Sequence, residues 1–110
     1  MAVQRFGRLS RTAPLLNVAV DEGYGPVVIL VHGIASSSRS WSHLIPLLSP
    51  LYRVIAIDLL GFGNSMAPAN ATFTLEEHVA ALRTTIRSLK IKGRITLVGH
   101  SLGALVISRY

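Results

Sequence analysis

Five residues near the end of the chain, Gly99-His100-Ser101-Leu102-Gly103, restrict the possible folds more than any other stretch. Before them stands Ile95-Thr96-Leu97-Val98, short, apolar and β-branched, which reads as a strand. After them Ala104 to Tyr110 is apolar and reads as the start of a helix. Glycines two positions before and two after the serine permit a turn too tight for side chains there. A strand that turns at once into a helix belongs to a βα unit, and such units build parallel sheets with helices packed on them.

The rest of the chain repeats that alternation. Leu15 to Val20 reads as a strand that stops at the turn signal Asp21-Glu22-Gly23, and Gln4 to Leu9 is a candidate hairpin partner for it. Val27-Val28-Ile29-Leu30-Val31 is apolar at every position, as a strand buried on both faces must be, and it stops at His32-Gly33. A serine-rich loop, Ile34 to Arg39, precedes a short helix through Trp41, Leu44, Leu47 and Leu48, with Ser40 as its candidate cap. Pro46 breaks or restarts that helix. Arg53 to Ile57 is the next strand, and Asp58 to Ala71 is a loop carrying Gly61, Gly63, Asn64 and Pro68. Thr74-Leu75-Glu76-Glu77 is a capping box. It opens a helix with Leu75, Val79, Leu82, Ile86 and Leu89 on one stripe, and Gly93 is its expected end. The predicted fold class is α/β, a mostly parallel sheet with flanking helices.

Composition removes several functional classes. Half of the residues are hydrophobic and 15% are charged, the balance of a globular domain. The formal charge is +6, yet the basic residues are scattered and do not interleave with aromatics, so no nucleic-acid surface is read. With no cysteine, disulfide frameworks, Cys-ligated zinc and Cys nucleophiles are excluded. No metal site or cofactor is expected. No apolar run reaches the ~18 residues of a membrane span. Arg5, Arg8 and Arg11 precede the first acid, a composition shared with organelle transit peptides. The expected reading is a basic first strand in a cytoplasmic protein.

Ser101 is the candidate nucleophile. In a G-x-S-x-G turn the serine hydroxyl is held out where a base can reach it. The helix that follows directs its first free N–H groups and the positive end of its dipole at charge developing beside the serine. His32-Gly33-Ile34 stands at the carboxyl end of the first parallel strand, where open α/β sheets place ligands. A backbone N–H just after Gly33 can join that of Leu102 in an oxyanion hole, stabilising the oxygen that becomes negative during acyl attack.

These segments, with Trp41 and Asp58-Leu59-Leu60-Gly61-Phe62-Gly63-Asn64-Ser65, stand in an order and spacing that resembles the N-terminal part of α/β-hydrolases of the esterase, lipase and perhydrolase-like group. The resemblance covers essentially the whole chain. It implies a catalytic Ser101, with oxyanion donors from the backbone of Leu102 and Ile34; Ala35 is the second choice for the latter. It implies supporting roles for His32, Gly33, Gly99, His100 and Gly103, neither histidine being the catalytic base. Asp58 matches a position that organises the loop after its strand and is not the triad acid. Relatives that open epoxides or remove halides place a carboxylate at the nucleophile position. A serine implies acyl chemistry instead, such as hydrolysis of an ester, thioester or amide, acyl transfer, carbon–carbon cleavage of a ketone, or perhydrolysis.

In the family the triad runs Ser, then Asp or Glu, then His. The nine residues after Ser101 contain none of these acids or histidines. His43 and His78 read as ordinary helix residues. Residues 1–110 are therefore expected to be an incomplete domain, truncated after the nucleophile turn. Its partners would be a small-molecule acyl substrate and the missing C-terminal part of the fold. Alone it is expected to show little activity and to expose an apolar sheet edge. The alternative reading is a non-catalytic ligand-binding protein or receptor on the same fold. Ser36-Ser37-Ser38-Arg39 reads as a solvated loop and helix cap, with contact to a polar substrate as the other possibility.

Overall fold

The computed structural model describes residues 13–110. The expected hairpin strand Gln4 to Leu9 lies outside them. A single four-stranded sheet organises the fold: β1 (Val18–Glu22), β2 (Val27–Val31), β3 (Arg53–Ile57) and β4 (Ile95–Gly99), in the order β1-β3-β2-β4. β2 pairs in parallel with both β3 and β4, while β1 runs antiparallel to β3. A 3-10 turn (Ser38–Trp41) and the short helix α1 (Ile45–Leu48) join β2 to β3. Helix α2 (Leu75–Ser88) lies between β3 and β4, and α3 (Leu102–Ser108) follows β4.

The unbroken apolar run of β2 is buried at all five positions. Val27, Ile29 and Val31 face the larger core with Val79, Leu82 and Ile86 of α2 and Val106 of α3. Val28 and Leu30 face the opposite side, against Ile45, with Trp41, Leu44 and Leu48 packed around it. The result is three layers, with the parallel strands covered on both faces as their composition requires.

Three boundaries differ from those expected. β1 begins at Val18 and continues through Asp21 and Glu22. The Asp21 carboxylate binds the Arg53 guanidinium in two hydrogen bonds of 2.8 and 2.7 Å across the β1–β3 pair. The turn comes at Gly23 and Gly25 instead. The first helical turn is capped by Ser37, whose hydroxyl accepts from Arg39 N–H, so Ser40 lies inside it; Pro46 stands at the restart in α1. Helix α2 ends at Ser88, before Gly93. Lys90 takes the left-handed conformation that closes the helix, and Gly93 (φ +88°) turns the chain into β4. The capping box forms as expected between Thr74 and Glu77.

Candidate active site

Two loops at the carboxyl ends of β2 and β4 meet at Ser101. β2 pairs with β4 in register through Val31 and Gly99, so both loops leave the sheet at one level. His100 N–H donates to Val31 C=O at 3.1 Å and carries the pairing one step into the turn. Ser101 then adopts φ +57°, ψ −120°, a backbone state that side-chain-bearing residues rarely hold. Such strain persists only where the surroundings over-determine it. Here β4 and α3, ending and starting on either side of it, do so.

The flanking glycines are required by close approach. A Cβ on Gly99 would stand 2.6 Å from the Gly103 carbonyl, and one on Gly103 would strike the Val31 and His32 carbonyl oxygens. Gly103 is therefore what lets α3 rest on the end of β2. A Cβ on Gly33 would stand 3.0 Å from Ser101 Cβ and 3.2 Å from the His100 carbonyl oxygen. The loop after β2 thus lies against the serine, and the structure brings together His32, Gly33, Gly99, His100, Ser101, Leu102 and Gly103. Ile34 is exposed beside them.

Ser101 is exposed at the head of α3. Gly103 N–H donates to His100 C=O, and Ala104 and Leu105 N–H donate to Ser101 C=O. Leu102 N–H takes no acceptor among the described residues. It is one of the free donors that every helix start presents.

His32 is fully buried. Leu59 N–H approaches its Nε2 at 2.9 Å and can only donate, so Nε2 accepts. The ring proton therefore sits on Nδ1, which donates to the Gly33 carbonyl at 2.7 Å. Both nitrogens are engaged, and the Phe62 ring lies edge-on at 5.9 Å. His43 is exposed on the far side of the sheet, before α1. His78 is buried in α2 with Nδ1 unpartnered. Burial lowers its pKa, Glu77 pulls it up, and His32 adds to the lowering. His100 is exposed.

Asp58 gathers a network that the sequence pattern did not reveal. Its carboxylate accepts from Ser38 N–H at 2.8 Å, Asn17 Nδ2 at 3.0 Å and Asn64 N–H at 3.1 Å. Burial raises its pKa, but the bonds from Asn17, Ser38 and Asn64 together outweigh that and hold it below the usual value. Ser65 Oγ donates to Asp58 C=O at 2.6 Å and accepts from Asn17 N–H at 2.8 Å. Ser65 closes the segment that carries the resemblance, whereas Asn17 stands in no motif.

A cleft of about 990 Å³ opens beside this network, between β1, the Ser36–Ser42 loop and Asn64. Ser101 does not line it. Among the described residues no group of acids and histidines is placed to hold a metal ion, and no helix is long and apolar enough to cross a membrane.

Comparison with known proteins accords with this geometry. A family model described as alpha/beta hydrolase fold matches residues 26–110. A 2-hydroxy-6-oxo-6-(2'-aminophenyl)hexa-2,4-dienoic acid hydrolase of Metapseudomonas resinovorans is 37% identical over 76% of this chain and 30% of its own length. A coelenterazine h 2-monooxygenase of Renilla reniformis is 36% identical over 76% of the chain and 27% of its own. The crystal structure of an epoxide hydrolase from Vigna radiata superposes with TM-score 0.71 at 39% identity, covering 78% of this chain and 28% of that one. The chain thus spans about 30% of the length of that first relative. On the match over residues 26–110, it belongs to the alpha/beta hydrolase fold family.

Proposed function

We propose that this chain carries the nucleophile and oxyanion half of a serine hydrolase acting on an ester or related acyl substrate. The three relatives named above carry out different reactions, so the fold does not select among them and the site must. The observation that carries the reading is the placement of the Ser101 Cβ 3.0 Å from where a Gly33 side chain would begin. That close approach supports reading the exposed Ser101 together with two candidate backbone donors, Leu102 N–H and Ile34 N–H. In the mechanism, Ser101 Oγ attacks the acyl carbon, its proton passes to a base, and the carbonyl oxygen becomes an oxyanion between those two donors. The base and its orienting acid come from sequence that follows Ser101 in chain order. The substrate pocket is completed there too, which accords with Ser101 standing outside the 990 Å³ cleft.

An alkyl fluorophosphonate, which reacts only with an activated serine, tests this directly. The protein expressed from its natural gene is expected to carry the adduct on Ser101, and Ser101→Ala to carry none. Residues 1–110 alone are expected to stay unlabelled, since a serine without a base is a poor nucleophile. An unlabelled natural protein, or labelling that survives Ser101→Ala, overturns the proposal.

A further inference from the structure

The geometry points to His32 as the positioning residue for the oxyanion donor of Ile34. This inference rests on the reading of Ser101 given above and adds to it a residue with a defined task. The Gly33 carbonyl and the Ile34 N–H belong to one peptide unit. That unit is trans, as are all the described peptide bonds. In a planar trans peptide the C=O and N–H point in opposite directions. His32 Nδ1–H holds the carbonyl at 2.7 Å from inside the core, where the ring is fully buried. The N–H of the same peptide is thereby directed outward, to the face that Ser101 shares. Ile34 N–H takes no acceptor among the described residues, as an oxyanion donor awaiting substrate must not.

The ring cannot rotate away from this task. Leu59 N–H, at the end of β3, occupies Nε2 at 2.9 Å, and Phe62 closes the side of the ring. A ring flip would put carbons Cδ2 and Cε1 where Nδ1 and Nε2 stand and lose both bonds, and the other tautomer would set two donors against each other at Leu59 and two acceptors at Gly33. The segment that follows β3 therefore fixes the tautomer of His32, and that tautomer fixes the direction of a donor beside Ser101. The same geometry favours Ile34 over Ala35, because the His32-bound carbonyl belongs to the peptide of Ile34.

Two substitutions separate this task from simple core support. His32→Asn places an amide N–H where Nδ1–H was and keeps the Gly33 bond while losing Leu59. His32→Gln places an oxygen near the former Nε2 and keeps Leu59 while losing Gly33. In the protein expressed from its natural gene, with a nitrophenyl ester as substrate, His32→Gln is expected to lower kcat by about 10²-fold at unchanged KM, the effect of losing one oxyanion donor. His32→Asn is expected to recover roughly tenfold or more of that loss. Equal losses in both variants, or a loss confined to KM, would overturn the assignment.

A second measurement does not depend on turnover. Long-range ¹H–¹⁵N spectra of the protein expressed from its natural gene are expected to show the His32 proton on Nδ1. The Ile34 amide resonance is expected to move in His32→Gln and to stay near its place in His32→Asn. A proton on Nε2, or an Ile34 resonance indifferent to both changes, overturns the positioning role even if Ser101 is reactive. Correct spectra with an unreactive Ser101 support the positioning and sink only the serine-hydrolase reading.

Discussion

Asp58 shows how one side chain can hold three loops. Its carboxylate reaches Asn17 before β1, Ser38 after β2 and Asn64 after β3, all as an acceptor. Only the ionised form accepts from all three without presenting a proton to any of them. The pKa is held below its ordinary value, so the folded state binds the proton less readily than the unfolded chain. Stability from this group is therefore fully present above the unfolded value of about 3.9 and is lost as pH falls through the lower folded value. Asp58→Asn is expected to cost about 1–3 kcal/mol at neutral pH, because an amide set against these donors leaves one of them unsatisfied. Below about pH 4 the variant and parent stabilities should converge, measured by urea unfolding across that range. A constant gap at all pH values would mean that the charge is irrelevant. Asp58 was legible in the sequence as a loop organiser through resemblance alone. Asn17 was not, because its partners Asp58 and Ser65 lie 41 and 48 residues away and no local pattern encodes such pairs.

Helix α2 is the element that the sequence specified best. Its stripe of apolar residues packs as the spacing demands, with Val79, Leu82 and Ile86 buried in the larger core. Its start is fixed by chemistry within six residues: Glu77 N–H donates to Thr74 Oγ at 3.1 Å, and the Glu77 carboxylate accepts from Thr74 N–H and from Thr72. Its end comes before the expected Gly93 because Lys90 takes the left-handed conformation first. The end of β1 differs from expectation for another reason. Asp21 and Glu22 look like turn residues until Arg53 on the neighbouring strand is seen to pair with Asp21. Local signals thus placed the start whose cap is local; the end of β1 is decided by a tertiary partner, and the end of α2 by a non-glycine residue in the left-handed conformation. Thr74→Ala is expected to lower stability by about 1 kcal/mol and Thr74→Ser to leave it nearly unchanged. The helical signal in circular dichroism, followed through urea unfolding, checks both. Equal losses in the two variants would assign the role to the threonine methyl instead of the hydroxyl.

Strand order was the least legible feature, since pairing partners far apart in sequence leave no periodic trace. The order β1-β3-β2-β4 makes β4 an edge, with β2 on one side and no strand on the other among the described residues. The strand that leads into the Gly99–Gly103 turn is thus one of the two edges: β2 is buried at all five positions, β1 and β4 at none. Leu105, on the helix that follows, is 58% exposed. An open, apolar strand edge presents unpaired N–H and C=O groups ready to template another chain. Repulsion does little to prevent this, because β4 itself carries no charged residue despite the net charge of +6. Residues 1–110 in isolation are therefore expected to self-associate through β4. Light scattering after size exclusion should show a mass that rises with concentration above the 11.9 kDa of one chain. Thr96 is the exposed residue of the strand, and Thr96→Lys should shift the mass toward the monomer by placing charge on the edge. A monomer at every concentration, or association indifferent to Thr96→Lys, would show that β4 is not the surface through which copies meet.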